Sequence, residues 1–322
     1  MFLEMLDSID FSNDLDISNE SNKEYLEIAS AIEKYFTFEM ALLGEDSTPS
    51  SKNYPEAYDY YMNVKSKYPN ITDPDSESEI LQIIFKMIWN EDVLRCCYDV
   101  EKKRIKGDTM NTIQPSLGVY LRRIHNERYQ RGDAGFKEYY YGSLNQSLQL
   151  YLELDKDEKK LIKDKAVTDF IKIYHSLGNF MPVPYSKNGG EFNIARSSAV
   201  NDYWDATMWC IYNWYVTGKN KKDNADRWLF KLLKELENVE LCKNWLKNFK
   251  TWNQFVDDNY LQPFVDENYK PILLFGTDFE DRKKPVSEEE CMEYFEKTYD
   301  CVMKRSKLMV GAIRKKFKAL LH

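Results

Sequence analysis

Apolar residues recur at three- and four-residue steps along most of the chain. That spacing is typical of amphipathic helices, because each helix buries one stripe of side chains against a core. It predicts helices near residues 23–43, 79–97, 112–131, 136–152, 157–174, 197–217, 225–240 and 242–257, and a last helix that begins at Ser287 after Pro285. The predicted fold class is mostly α, with a bundle-like core of many helices.

The helical pattern breaks at Gly178. Residues 180–186 contain two prolines, which cannot donate to a strand ladder, so an edge strand or an extended segment is predicted there. The sequence Asn-Gly-Gly at residues 188–190 favours a tight turn with positive φ, after which residues 192–195 would return as the partner strand. We therefore expect a small β-hairpin near residues 180–195.

Clustered Ser, Asp, Asn and Pro residues predict loops at residues 44–53 and 69–78. They divide the chain into an N-terminal helical segment with an acidic leader, residues 1–78, and a main helical domain, residues 79–322, that contains the hairpin. Within the main domain, the sequence KPILLF at residues 270–275 predicts one further short strand.

Composition and charge narrow the class of protein. Hydrophobic residues make up 43% of the 322-residue chain, which is enough for a substantial core, and the net charge of -8 disfavours generic attraction to nucleic acid. The chain has no run of about 18 apolar residues and opens with acids, so we expect a cytoplasmic protein without membrane insertion. The six cysteines lack the spacing of zinc sites and predict free, mostly buried thiols.

The last predicted helix carries seven cations and no acids between residues 304 and 318. Its apolar positions Val302, Met309, Ile313 and Phe317 alternate with these cations. Cations at a helix C-terminus complement the helix dipole. The helix either packs on the core with its charges in solvent, or presents a basic face to an acidic partner, nucleic acid or a membrane surface.

Two polar segments are the candidates for a binding site. The first is GDTMN, residues 107–111, which follows a cluster of cations, and the second spans residues 175–205. We expect them to meet in a cleft that binds a phosphate or a small polar ligand. The candidate ligand-binding residues are Asp108, Asn111, Asn179, Arg196 and Asp205.

Each of these residues also has a purely structural interpretation. GDTMN suits a helix cap or a turn, and Asn179 suits hydrogen bonding within a turn. Asp205 lies early in a predicted helix, where the dipole favours acids and Arg196 could neutralise it.

Three residues of the second segment have a spacing typical of a nuclease. His175, Asn193 and Asp202 lie around the order hairpin then helix, which resembles the ββα-metal unit of the His-Asn-His (HNH) nucleases. The phrase HSLGN is also similar to a His-x-Leu-Gly-Asn segment in a restriction-associated branch of that superfamily. The resemblance implies that His175 is a general base or a group that supports the metal ligands, that Asn193 orients it, and that Asp202 binds a divalent metal, Mg²⁺ or Mn²⁺. The set is incomplete, because no Asp-His pair precedes the hairpin.

Several longer phrases resemble a family of uncharacterised bacterial proteins. They are GDTMN, HSLGNFMPVP, FNIARSSAVNDYWD and FVDDNYLQPFV, and the resemblance spans roughly residues 80–315. It implies a bacterial setting and no established activity, and it leaves the first 75 residues outside.

Two hypotheses of function follow. In the first, the protein is a binding or interaction module without a cofactor, and its site recognises a small polar ligand or a protein partner. In the second, it is a divergent metal-dependent nuclease that acts on nucleic acid, in conflict with phage or other mobile elements. The incomplete catalytic set favours the binding module over an enzyme.

Overall fold

The fold is given by a computed structural model, which describes residues 79–111, 164–173, 177–186, 190–191, 203–219, 224–233, 236–279 and 287–320. The helices predicted near residues 23–43, 112–131 and 136–152 lie outside this part of the chain. The division into domains at residue 78 stays a prediction.

Helices dominate the described residues. In chain order they are α1 (Glu79–Ile88), α2 (Glu91–Arg95), α3 (Lys165–Ile173), α4 (Trp204–Lys219), α5 (Asp226–Leu233), α6 (Leu236–Leu246), α7 (Trp252–Asp258) and α8 (Glu288–Leu320). Two short 3-10 turns, Leu177–Asn179 and Gln262–Phe264, join them. The prediction of a mostly α fold is confirmed.

The described strands are short and pair two by two. They are β1 (Tyr98–Asp99), β2 (Arg104–Ile105), β3 (Gly107–Thr109), β4 (Phe180–Pro182), β5 (Tyr185–Ser186) and β6 (Gly190–Glu191). All three pairs, β1 with β2, β3 with β4 and β5 with β6, are antiparallel.

The predicted hairpin exists, but it is smaller and begins later than expected. Its strands are β5 and β6, whereas the expected return strand at residues 192–195 lies outside the described residues. The first half of the predicted strand, β4, pairs with β3 instead. The change of partner falls at Pro184, which has no N–H to continue a ladder.

Several predicted helices end earlier than the periodicity suggested. The helix expected over residues 79–97 stops at Ile88, and α2 starts again because the Asn90 side chain accepts the Asp92 N–H at 2.8 Å as an N-cap. The Thr251 hydroxyl caps α7 in the same way, by accepting the Gln254 N–H at 3.1 Å.

The boundaries of three further predictions were also wrong. The helices expected at residues 225–240 and 242–257 are the three shorter helices α5, α6 and α7. The strand expected at 270–275 is a single bridge between Val265 and Pro271, because Asp266 accepts two backbone N–H groups and bends the chain into a turn. The α4 helix runs one residue beyond its predicted stop at Gly218.

The C-terminal helix α8 is the centre of the core. It begins where predicted, with the Ser287 hydroxyl accepting the Glu290 N–H at 3.2 Å. It contacts α1, α3 and both 3-10 turns. Its buried apolar residues recur at helical spacing: Cys291, Tyr294, Phe295, Cys301, Val302, Met309, Val310 and Ile313. The core-packed interpretation of this helix is therefore right for its apolar stripe.

Two further observations concern the chemistry of the whole molecule. All six cysteines are free thiols, five of them buried, as the sequence predicted. None of the described helices is long and apolar enough to span a lipid bilayer.

Candidate functional site

The two polar segments singled out in the sequence lie side by side. Gly107 faces Pro182, Asp108 faces Met181, and Thr109 faces Phe180 in the β3–β4 pair. The interpretation of residues 107–109 as a helix cap or turn was wrong, because they form a strand whose N–H and C=O groups pair with a segment more than 70 residues away. Asp108 is half-buried on this strand, and its Oδ1 accepts the Thr109 N–H at 2.9 Å.

The side chain of Asn179 extends this pairing beyond the strands. Its Oδ1 accepts the backbone N–H of Asn111 at 3.1 Å, and its Nδ2 donates to the backbone oxygen of Asn111 at 2.9 Å. The side-chain amide of Asn179 therefore accepts one hydrogen bond from the Asn111 backbone and donates one to it, as the backbone of a paired strand would. The Asn179 backbone oxygen accepts the Met110 N–H at 2.8 Å, so the contact is continuous with β3. We call Asn111 and Asn179 the asparagine pair.

One atom of the asparagine pair has unused hydrogen-bonding capacity. Both residues are 0% exposed. The Nδ2 of Asn111 donates to Asn179 at 3.3 Å, but the Oδ1 of Asn111 accepts no hydrogen bond from any residue that the structure describes. A buried amide oxygen without a donor costs about 1–3 kcal/mol, so a donor supplied by a bound molecule would stabilise this site.

Gly178, next to the pair, lies directly on α8. Its N–H donates to the Ser306 hydroxyl at 3.0 Å. A Cβ at this position would lie 2.2 Å from both the Ser306 Oγ and the Val302 backbone oxygen, which is far inside van der Waals contact. The close approach of the 3-10 turn to the helix therefore requires glycine here.

Arg305 joins the same turn to α8 from within the core. The side chain is 0% exposed. Its Nη1 donates to the backbone oxygens of Gly178 and Phe180, both at 2.8 Å. Its Nε and Nη2 donate to the backbone oxygen of Asn259 at 3.1 and 3.0 Å. One guanidinium thus holds two segments of chain against α8.

Carbonyl groups rather than carboxylates compensate this buried charge. Asn259 is the C-cap of α7, where the helix dipole is negative, while Gly178 lies within the 3-10 turn and Phe180 is the first residue of β4. Arg305 forms no ion pair with any carboxylate in the described part of the chain. Burial lowers the pKa of Arg305 to about 9, so the guanidinium stays protonated at neutral pH.

The hydrogen bonds continue from Arg305 to Trp89, the residue that follows α1. The Asn259 side chain accepts the Trp89 Nε1–H at 2.9 Å and donates to the Phe255 backbone oxygen at 2.8 Å. Asn259 is also 0% exposed. A buried polar network therefore runs from the asparagine pair through Arg305 to Trp89.

Asp205 is fully buried but belongs to a different contact. Its Oδ2 accepts the Leu274 N–H at 2.8 Å, and its Oδ1 accepts the Ala206 N–H at 2.8 Å. Its hydrogen bonds attach the loop at Leu274 to the start of α4.

The network contains residues from three of the phrases that distinguish this sequence, GDTMN, HSLGNFMPVP and FVDDNYLQPFV. The model of a family of unknown function, DUF6994, matches residues 58–309. The chain belongs to DUF6994. The match begins before residue 80, where the resemblance was expected to start, and it includes the asparagine pair, Gly178 and Arg305. No curated protein and no solved structure matches this DUF6994 chain.

Half of the residues predicted for a site in this DUF6994 protein can be located. Asp108, Asn111 and Asn179 lie on or beside the β3–β4 pair, whereas the hydrogen bonds described for Asp205 go to Ala206 and Leu274. His175, Asn193, Arg196 and Asp202 lie outside the described residues, so their convergence stays a prediction. Within the part of the chain that is described, no group of three or more His, Cys, Asp or Glu side chains could hold a metal ion.

The sequence interpretation missed Arg305 in this DUF6994 chain, because the residue was counted with the cations of a basic helix. One signal could have found it. Arg305 lies three residues after Val302 and four before Met309, which places it on the apolar stripe rather than between stripes. A cation on the buried stripe of a helix must find its hydrogen-bond acceptors within the core.

Proposed function

We propose that this DUF6994 protein is a binding protein that recognises a small polar ligand at the asparagine pair. The unsatisfied Oδ1 of Asn111 is the observation that carries the proposal. Its environment is rigid, since Asn179 fixes the backbone of Asn111 from both sides and Arg305 fixes the turn that contains Asn179. Rigid surroundings keep the acceptor in place before the ligand arrives, which reduces the entropy lost on binding.

The chemistry of the site favours a ligand that donates hydrogen bonds. An amide oxygen is an acceptor only, so the Oδ1 of Asn111 requires a hydrogen-bond donor on the ligand. A molecule with amino, amide or hydroxyl groups supplies such a donor, whereas a fully ionised phosphate group has only acceptors. Nucleosides, amino acids, sugars and polyamines are the ligand classes to test.

Ligand binding is expected to stabilise the wild-type protein and to depend on Asn111. At a ligand concentration of a hundred times the dissociation constant, the free energy of unfolding should rise by about 2.7 kcal/mol. Asn111→Ala removes the acceptor and should abolish most of that rise. Thermal denaturation of both proteins, each compared with its own ligand-free sample across the four ligand classes, measures the effect.

Asn213→Ala is the matched control for this experiment. Asn213 is a half-buried amide on α4 whose Nδ2 donates to Trp209 within the same helix at 2.7 Å. Its loss should leave the ligand response unchanged. A response that survives in Asn111→Ala, or that only phosphate compounds elicit, would contradict the proposed site.

The nuclease hypothesis for His175, Asn193 and Asp202 stays a prediction with its own test. The test is incubation of the protein with plasmid, single-stranded DNA and RNA in Mg²⁺ or Mn²⁺. Cleavage should occur with the wild type and be lost in His175→Ala and Asp202→Ala, because removing a general base or a metal ligand typically lowers the rate of cleavage by roughly 100-fold or more. Equal background cleavage by wild type and both variants would end this hypothesis without affecting the binding proposal.

A further inference from the structure

The backbone fixes which way each amide of the asparagine pair points. The backbone N–H of Asn111 is a donor only, so the Asn179 atom 3.1 Å from it is the oxygen Oδ1, and the atom 2.9 Å from the Asn111 carbonyl is Nδ2. The Asn111 side-chain atom that lies 3.3 Å from the Asn179 Oδ1 must in turn be the donor Nδ2. The Oδ1 of Asn111 therefore points away from Asn179, since a flipped amide would set two oxygens against each other.

The Asn111 amide also has an unused N–H beside its unused oxygen. Nδ2 carries two hydrogens, and one of them makes the contact with Asn179. Because the same Asn179 oxygen also accepts the backbone N–H of Asn111, the hydrogen used is the one on the backbone side of the amide. The other hydrogen lies on the side of Oδ1, and Nδ2 has no second acceptor among the residues that the structure describes. One edge of a side chain that is 0% exposed therefore holds an acceptor and a donor next to each other.

We propose, on the basis of the binding function proposed above, that the ligand recognised here carries a planar edge with a donor and an acceptor side by side. The amino group and ring nitrogen of adenine form such an edge, and so do the N–H and C=O of a primary carboxamide. Asparagine pairs with the adenine edge through two hydrogen bonds in nucleic-acid recognition. One group of this kind satisfies both atoms of the Asn111 edge at once.

Other classes of ligand leave polar atoms without partners at this edge. An ammonium group donates to Oδ1 but offers no acceptor to the N–H, and a carboxylate accepts from the N–H but sets a second oxygen against Oδ1. Two neighbouring hydroxyls of a sugar match both atoms, but the remaining hydroxyls need partners of their own. Met110 and Phe180, which flank the asparagine pair in sequence, are buried and apolar, so their side chains donate no hydrogen bond to such hydroxyls. A flat ring or amide therefore fits better than a polyol, because an unpaired polar group in these surroundings costs free energy.

Two pairs of compounds that differ mainly in this edge test the proposal on the full wild-type chain. Adenosine has the amino donor that purine riboside lacks, and benzamide has the N–H donor that benzoate lacks. Isothermal titration calorimetry should show that adenosine or benzamide binds about tenfold or more tightly than its counterpart, because a bidentate pair discriminates by about that factor. A preference for adenosine identifies a nucleobase as the source of the edge, whereas a preference for benzamide alone identifies a carboxamide.

Asn111→Asp removes the donor of the edge and keeps its acceptor. Burial favours the protonated carboxyl, whose single O–H can replace the contact of Nδ2 with Asn179. The variant should bind the preferred compound about tenfold or more weakly than the wild type does. Asn213→Asp makes the same change in the half-buried amide on α4 and should leave the affinity unchanged. Thermal denaturation checks that both variants are folded, and the comparison of compounds on the wild type does not depend on either of them.

The results distinguish failure of the paired edge from failure of the ligand site itself. Binding of a sugar or a polyamine that Asn111→Ala abolishes, without a preference for adenosine or benzamide, would leave the binding function standing and overturn the paired edge. Equal affinity for both members of each pair, or unchanged affinity in Asn111→Asp, would overturn the paired edge as well. If no compound showed Asn111-dependent binding at concentrations up to about 10 mM, the binding function and the edge would both be overturned.

Discussion

Replacing Arg305 with methionine is expected to reduce the free energy of unfolding by about 3–5 kcal/mol. Methionine fills much of the same volume but donates no hydrogen bond, so the backbone oxygens of Gly178, Phe180 and Asn259 would be left in the core without their donor. Those oxygens belong to the main chain and cannot be removed along with the arginine. Equilibrium unfolding in urea, followed by circular dichroism, measures the loss.

The neighbouring cation supplies the matched control. Lys304→Met removes a charge of the same sign from the same helix, but Lys304 is exposed and its ion pair with Asp300 lies at the surface. Its loss should change the free energy of unfolding by less than about 1 kcal/mol. If the two variants proved equally stable, the hydrogen bonds of Arg305 would not be holding the turn and α7 against α8.

Gly178→Ala is expected to reduce the free energy of unfolding by about 3 kcal/mol or more. The added methyl group would overlap the Ser306 hydroxyl and the Val302 backbone oxygen, each at 2.2 Å from the new Cβ. One of these contacts is with backbone, so the 3-10 turn must move away from α8. That movement would stretch the hydrogen bonds of Gly178 to Ser306 and Arg305, and urea unfolding should show a lower midpoint at an unchanged slope.

Two further variants separate steric overlap from the general effect of replacing a glycine. Gly311→Ala adds the same methyl group to α8 in open solvent and should stabilise the protein by up to about 1 kcal/mol, because alanine favours helix. Adding Ser306→Ala to Gly178→Ala removes the hydroxyl but not the Val302 oxygen, so it should restore only part of the loss. Full stability of Gly178→Ala by itself would show that the turn does not lie against the helix as described.

Both predictions concern residues that support the proposed ligand site without forming it. Arg305 and Gly178 fix the turn that contains Asn179, and Asn179 in turn fixes Asn111. A variant at either position is therefore expected to lower ligand affinity as well as stability. Asn111→Ala differs from both, because it should remove the ligand response at a smaller cost in stability.

The elements that the sequence predicted correctly depend on neighbours in the chain. The start of α8 was predicted from Ser287 and the glutamates after it, since an N-cap and acids in the first turn act within four residues. The break at Asn90 was missed because apolar residues continue at helical spacing on both sides of it. Its capping hydrogen bond to Asp92 is local, so the sequence did contain a signal for this break.

The candidate site was predictable only in part. Asp108, Asn111 and Asn179 were selected as polar residues in unusual phrases, and the structure brings them together. The pairing itself joins residues 68 positions apart, and the Arg305 contact with Gly178 joins residues 127 apart. Periodicity gives no information at such separations, because it reports which face of an element is buried and not which element lies against it.

The sequence alone determined the mostly α character of this protein, the apolar stripe of α8, the free thiols and the segregation of charge along the last helix. These features follow from residue type and local spacing. Only the tertiary structure decided that β4 pairs with β3, that Gly178 touches α8, and that Arg305 is buried among backbone oxygens. Each of those depends on which distant groups meet once the core has formed, and buried polar groups must then find partners wherever the packing places them.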